Sequence, residues 1–201
     1  MPYHLDAIEA RVLGCLIEKE MSTPDYYPLS LNALVNACNQ KSSREPLMAL
    51  RDDDVTLALD KLQHRGMSTV HTSDRVPKYG HRLVERLQFG NRELALMAVL
   101  LLRGPQTVAE LRSRAQSLHG FADAEAVENV LRKLADREDP LTAPFAHRWA
   151  HLLSGPAEFA PVTAAAVVAP RQDGLGERVA QLEARVAQLE AELVEFKKKF
   201  D

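Results

Sequence analysis

The chain has 201 residues, 46% hydrophobic and 26% charged, a composition that fits a folded globular protein and excludes a disordered one. Its longest apolar run, Leu94 to Leu102, is about half of what a bilayer crossing needs, so no membrane partner is expected. The net charge of −3 is spread as −1 over residues 1–90, 0 over 91–155 and −2 over 156–201, so no segment carries the basic excess that by itself announces nucleic acid.

The opening MPYHLDAIEA lacks both the basic start and the apolar core of a secretory signal. From there Leu5, Ile8, Val12, Cys15 and Leu16 share one face of a helix over about 5–20. A second helix is expected over 30–39, with Ser30 as N-cap and Leu31, Leu34, Val35 and Cys38 turned inward. Cys15 and Cys38 have no CxxC spacing and sit in apolar stripes, which reads as reduced core residues of a cytoplasmic protein.

The polar run NACNQKSSREP at 36–46 follows, and its Asn39, Gln40, Lys41, Arg44 and Glu45 form a candidate contact loop. Asn39 and Gln40 offer amides to a partner's main chain, and Arg44 offers a fork for a carboxylate. The internal alternative pairs Arg44 with Glu45 and makes Asn39 a cap for the helix before it. A third helix over about 53–65 turns Val55, Leu59 and Leu62 inward and ends at Gly66.

MSTVHTSDRVPKYGHRLV then changes to β-branched residues around turn formers, the pattern of a two-stranded hairpin. Three helices closed by such a hairpin describe a winged-helix domain, assigned to residues 1–88. The order then recurs over 89–154. A first helix at 93–104 ends at Gly104 and Pro105, Thr107 and Glu110 form a capping box for the second, and residues 123–137 give the third. Val55, Leu59, Lys61 and Leu62 return as Val127, Leu131, Lys133 and Leu134 at an offset of 72, whereas Glu9, Val12 and Leu13 return as Glu93, Leu96 and Met97 at an offset of 84. The first copy therefore holds about 12 extra residues, the polar run among them. LTAPFAHRWAHLL at 141–153 is the second wing, its Phe145 and Trp149 expected to pack on their own domain.

Residues 155–174 read as an Ala/Pro-rich linker and 175–201 as a coiled-coil helix. Val179, Val186, Leu193 and Phe200 occupy position a of the heptad, and Leu175, Leu182, Leu189 and Phe196 position d. In a parallel pair Arg178 meets Glu183, Arg185 meets Glu190 and Glu192 meets Lys197, all opposite in sign, so a homodimer is expected.

ACNQKSSREP, LLLRGPQTVAELRSR and the ADRED before the second wing resemble the YceH-like family of uncharacterised bacterial proteins, from about Leu5 to Leu153. The resemblance implies two tandem winged-helix domains in a cytoplasmic bacterial protein and supplies no catalytic or ligand residues. The residues themselves offer no nucleophile motif, phosphate loop or metal spacing; His71 with His81, and His147 with His151, are pairs too small for a metal site. No enzyme activity and no cofactor are expected.

The fold class is thus mainly helical with hairpin wings, and two functions compete. Double-stranded DNA would meet Arg75, Lys78, His81 and Arg82 on the first wing and Arg112 and Arg114 on the second copy's second helix, with Arg132, Lys133 and Arg137 nearby. The third helices oppose this, opening with Asp52, Asp53 and Asp54 and with Asp123, Glu125 and Glu128, where phosphates would have to approach. A protein partner held by the 36–46 loop is the other reading.

Overall fold

The computed structural model describes residues 3–72 and 75–155, so the linker and the heptad positions from Leu175 to Phe200 lie outside the described residues. The chain is mainly helical with small antiparallel sheets. Helix α1 (Ala7–Ser22) starts at a reciprocal cap: Asp6 Oδ1 accepts from the N–H of Glu9 at 2.8 Å, and Glu9 Oε2 accepts from the N–H of Asp6 at 2.7 Å. Helix α2 (Leu31–Cys38) starts at Ser30, whose Oγ accepts from the N–H of Ala33. Helix α3 (Asp52–His64) is followed by Gly66 at φ 67°, a left-handed position that glycine adopts without strain.

Strands β2 (Ser68–His71) and β3 (Lys78–His81) form the expected hairpin. A two-residue strand, β1 (Leu29–Ser30), adds Leu29 opposite Tyr79 and completes a sheet ordered β1-β3-β2. Two residues are too few to show an alternation, which is why this strand left no trace in the sequence pattern. A five-residue helix, α4 (Leu83–Leu87), was equally invisible and joins the two halves.

The second half repeats the first. Helices α5 (Asn91–Arg103), α6 (Val108–Ala115) and α7 (Ala124–Ala135) precede strands β4 (Thr142–Phe145) and β5 (Arg148–His151). Where the first half has β1, the second has a single antiparallel bridge between Gln106 and Trp149.

Polar contacts are duplicated along with the elements. Met67 donates its N–H to the Leu62 carbonyl and Leu141 donates to Leu134; Ser68 Oγ donates to the Leu59 carbonyl and Thr142 Oγ1 to Leu131. Lys61 pairs with Asp6 at 2.8 Å and Lys133 with Glu93 at 2.9 Å, each tying a third helix to the start of a first. Arg65 and Arg137 likewise donate to the carbonyls of His4 and Leu87, ahead of α1 and α5. Thr142→Val removes one of these buried donors while keeping the side-chain shape, so a loss of about 1 kcal/mol is expected in denaturant unfolding.

The two halves do not bury separate cores. One apolar cluster runs from Leu5 through Leu16, Leu34, Leu59, Leu96 and Leu100 to Leu134 and Leu153, and the described residues belong to one compact unit. The join is α1 against α5. A Cβ built on Gly14 would lie 2.9 Å from Leu102 Cγ and 3.0 Å from Leu101 Cβ, so the absent side chain sets how closely the helices approach.

Candidate functional site

On the first hairpin, Arg75 and Arg82 are exposed and Lys78 is half-buried. Among the described residues, neither Arg75 nor Arg82 has a side-chain hydrogen bond or ion pair to the protein. His81, expected beside them as a contact, is instead 8% exposed. Its Nε2 lies against the Glu20 carboxylate, its Nδ1 accepts from the N–H of Leu83 at 3.2 Å, and its own backbone N–H donates to the Tyr27 hydroxyl at 2.6 Å. The hydrogen bond from His81 holds the Glu20 carboxyl below the usual carboxylate range despite partial burial, while burial pushes the Tyr27 phenol up. His81 therefore anchors the hairpin to α1 and cannot reach a ligand. His71 points outward on β2 opposite Lys78, so the two histidines do not face each other.

In the second half, the basic candidates are spent on the protein itself. Arg112 donates to the carbonyls of Phe121 (3.4 Å) and Ala122 (2.7 Å), beyond the end of α6, and Arg114 is taken by Gln106 and Glu110. On α7, Arg132 pairs with Glu128 at 2.7 Å and Lys133 with Glu93. The acidic starts of the third helices serve as caps: Asp54 accepts from the N–H of Arg51, and Asp123 from that of Ala126. Asp52 and Asp53 remain exposed at the front of α3, where they repel phosphate.

Phe145, expected like Trp149 to pack on its own domain, is 46% exposed on the second hairpin, whereas Trp149 packs against the core. The alternation of β4 puts Thr142 inward, and Phe145, three positions along, falls on the outer side. His147 lies exposed in the turn of this hairpin, and His151 lies on β5. His151 Nδ1 is sealed from solvent without a hydrogen-bond partner, and desolvation lowers the imidazole to about 4. The folded group is thus neutral where the unfolded one, with its ordinary value of 6.5, takes up a proton. Stability is expected to fall as pH drops from about 6.5 towards 4, and His151→Gln should flatten that slope in melting curves taken across the range.

The polar run at 36–46 folds back on the protein. Asn39 lies alongside Leu50 like a strand residue: its Nδ2 donates to the Leu50 carbonyl and its Oδ1 accepts from the Leu50 N–H, both at 2.8 Å. Arg44 is only 3% exposed, which takes it out of the partner-facing set. Its Nη1 and Nη2 meet Glu18 Oε1 and Oε2 of α1 at 3.0 and 2.6 Å, its Nε donates to the Ala37 carbonyl, and Nη2 also reaches Gln40 Oε1. The fork for a carboxylate exists, but the carboxylate belongs to the same chain. Glu45 pairs with Arg103 of α5 rather than with Arg44, and its N–H donates to the Leu102 carbonyl, so the loop ties α2 to the second half. Among the described residues, Lys41 alone of the five candidates stands exposed with no side-chain hydrogen bond or ion pair.

Beneath the loop lies a residue the sequence pattern did not single out. Arg11 is 1% exposed on α1, its Nη1 donating to the Cys38 carbonyl at 3.1 Å and its Nη2 to the Pro46 carbonyl at 2.6 Å. An arginine inside the Ile8, Val12, Cys15 stripe was the available signal, since a cation on a buried helix face requires partners from elsewhere.

The sequence matches the family model described as "Protein of unknown function, DUF480" over residues 5–150. It is 46% identical over 207 residues to a UPF0502 protein of Solibacter usitatus, covering all of both chains. A UPF0502 protein of Geobacter sulfurreducens is 54% identical over 160 residues, covering 75% of this chain and 73% of the relative. One from Burkholderia multivorans is 46% identical over 200 residues, covering 90% and 85%.

Proposed function

The chain belongs to the DUF480 family of bacterial proteins, and we propose that it acts as a non-enzymatic, homodimeric tandem winged-helix factor that binds double-stranded DNA. One observation carries the reading: Arg75 and Arg82 project from the first hairpin with no charge partner among the described residues, while the basic candidates of the second half are consumed by internal contacts. The order α1, β1, α2, α3, β2, β3 and its repetition support the winged-helix reading. In such a domain the hairpin reaches the DNA backbone while the third helix enters the major groove. With Asp52 and Asp53 exposed at the head of α3, contact rests on the wing, so affinity comes from phosphate neutralisation and is raised further by the avidity of a dimer. The heptads at 175–201 supply that dimer, and nothing in the wing chemistry calls for a cofactor.

Binding of the full chain to a mixed pool of genomic DNA fragments, followed by fluorescence anisotropy from roughly 50 to 200 mM salt, tests this. The expected result is a steep loss of affinity with salt, and a slope reduced by about 3 per protomer in the triple variant Arg75→Glu, Lys78→Glu, Arg82→Glu. No binding at the lowest salt removes DNA from the function. A protein-binding adaptor is the second reading, favoured by Leu57, 58% exposed on α3 with Asp53 and Asp60 exposed on the same helix.

A further inference from the structure

The duplication that shapes the fold is broken at one ion pair. In the first half, two cations at and just beyond the last turn of α3 meet two carboxylates at the start of α1: Lys61 takes Asp6 at 2.8 Å and Arg65 takes Glu9 Oε1. At the offset of 72 the cations return as Lys133 and Arg137, but at the offset of 84 the carboxylates return as Gly90 and Glu93. Glycine brings no charge. Lys133 therefore pairs with Glu93 Oε1 at 2.9 Å, the oxygen that Glu9 gives to Arg65, while Glu93 Oε2 accepts from the Gly90 N–H as Glu9 Oε2 does from that of Asp6. Arg137 is left with the Leu87 carbonyl, reached from Nη2 at 3.0 Å, and has no ion pair among the described residues.

That arginine lines a cleft of about 260 Å³ between α4 and the connection from α7 to β4. Arg86 of α4 lines it too, exposed and with no side-chain hydrogen bond or ion pair among the described residues. The buried part of the lining is apolar, Leu87 being 4% exposed and Leu141 1%. Its exposed part includes two carboxylates, those of Glu138 and Asp139. Guanidiniums without a carboxylate partner recognise a planar or tetrahedral anion through paired N–H groups, which admits a carboxylate or a phosphate. Glu138 and Asp139 decide between the two, because they repel a dianion and accept hydrogen bonds from an ammonium group. The volume lies below the roughly 300–1,000 Å³ of sites for drug-sized ligands, so the occupant is small.

We propose that this cleft binds a free α-amino acid, its carboxylate held by Arg86 and Arg137, its ammonium group by Glu138 and Asp139, and an apolar side chain against Leu87 and Leu141. Both charges of the ligand are required. Without the carboxylate the two guanidiniums stay unmatched, and without the ammonium group the ligand's own charge faces two carboxylates. Because Arg86 and Leu87 belong to α4, which joins the two halves, the occupant fastens that joint to the end of α7. The proposal goes beyond the DNA reading and does not rest on it, since none of these residues lies on the first hairpin.

Isothermal titration of the full chain with L-leucine, L-methionine and L-phenylalanine tests this. The expected result is saturable binding of one amino acid per chain. Isocaproate, which is leucine without its amino group, leucinamide, which lacks the free carboxylate, and inorganic phosphate should each bind at least about tenfold more weakly than leucine. Arg86→Gln and Arg137→Gln should each weaken leucine binding by a similar factor. Gly90→Asp supplies the missing carboxylate for Lys133, frees Glu93 for Arg137 and should weaken binding as well. Its melting temperature should stay at or above that of the wild type, because φ −91° at this N-cap suits aspartate, a better cap than glycine. No heat with any of these amino acids overturns the proposal, and that measurement needs no variant to fold. Phosphate, isocaproate or leucinamide bound as tightly as leucine overturns it, and so does leucine binding that Arg86→Gln, Arg137→Gln and Gly90→Asp leave unchanged.

Discussion

Arg44→Ala is expected to cost about 3–5 kcal/mol, because it removes one half of a buried ion pair and leaves the other half charged inside the protein. The arginine side chain is fully buried and Glu18 is 15% exposed, at 2.6 Å. Truncation strands the Glu18 carboxylate and also takes a donor from the carbonyls of Ala37 and Ser43 and from Gln40. For a chain of this size that loss corresponds to a melting temperature lower by roughly 10 °C. Arg44→Lys should recover little of it, since a point charge cannot meet two carboxylate oxygens and a carbonyl at once. The check is a double-mutant cycle with Glu18→Gln. If Arg44 acts through Glu18, the two losses are far from additive. If they add, the arginine matters only for the backbone of the loop.

Gly14→Val is the second large effect, expected at about 3 kcal/mol and arising from the opposite cause, too much volume instead of too little charge. On intrinsic propensity alone, replacing a mid-helix glycine should help by a few tenths to about 1 kcal/mol. Packing reverses the sign. The new Cβ would sit at 2.9 Å from Leu102 Cγ and 3.0 Å from Leu101 Cβ, and the second of these is attached directly to the backbone of α5, so the helices must move apart. Because α1 and α5 join the two halves, the loss should be global, seen as a shift of the whole denaturant transition with no early phase. Combining Gly14→Val with Leu102→Ala should return part of the stability by vacating the contacted volume. A double variant no better than the single one would show that Leu101 sets the distance.

These two positions bear on function through the same piece of chain. Arg44 fixes the 36–46 run to α1, Glu45 fixes it to α5, and Gly14 sets the spacing between those helices. The run is therefore a staple between the halves, with Lys41 as its outward residue. The first hairpin is a different case: Glu20, Tyr27 and His81 hold its base on α1, leaving Arg75 and Arg82 exposed on a fixed support.

The sequence by itself determined the longer helices, several of their caps and the repeated order of elements. Ser30, Thr107 and Gly66 end or begin elements through contacts within a few residues, and apolar periodicity reports burial locally, so each was legible from its neighbourhood. The offset of 72 likewise matched a contact that recurs, the Leu59 carbonyl accepting from Ser68 as the Leu131 carbonyl accepts from Thr142. What only the tertiary structure decided was the fate of the polar side chains. Arg44 meets Glu18 from 26 residues away, Arg11 reaches Pro46 across 35, and His81 binds Tyr27 across 54. A long charged side chain reads the same in sequence whether it ends in water or against a buried carboxylate, because the energy that separates those outcomes belongs to the partner, and the partner is placed by the fold.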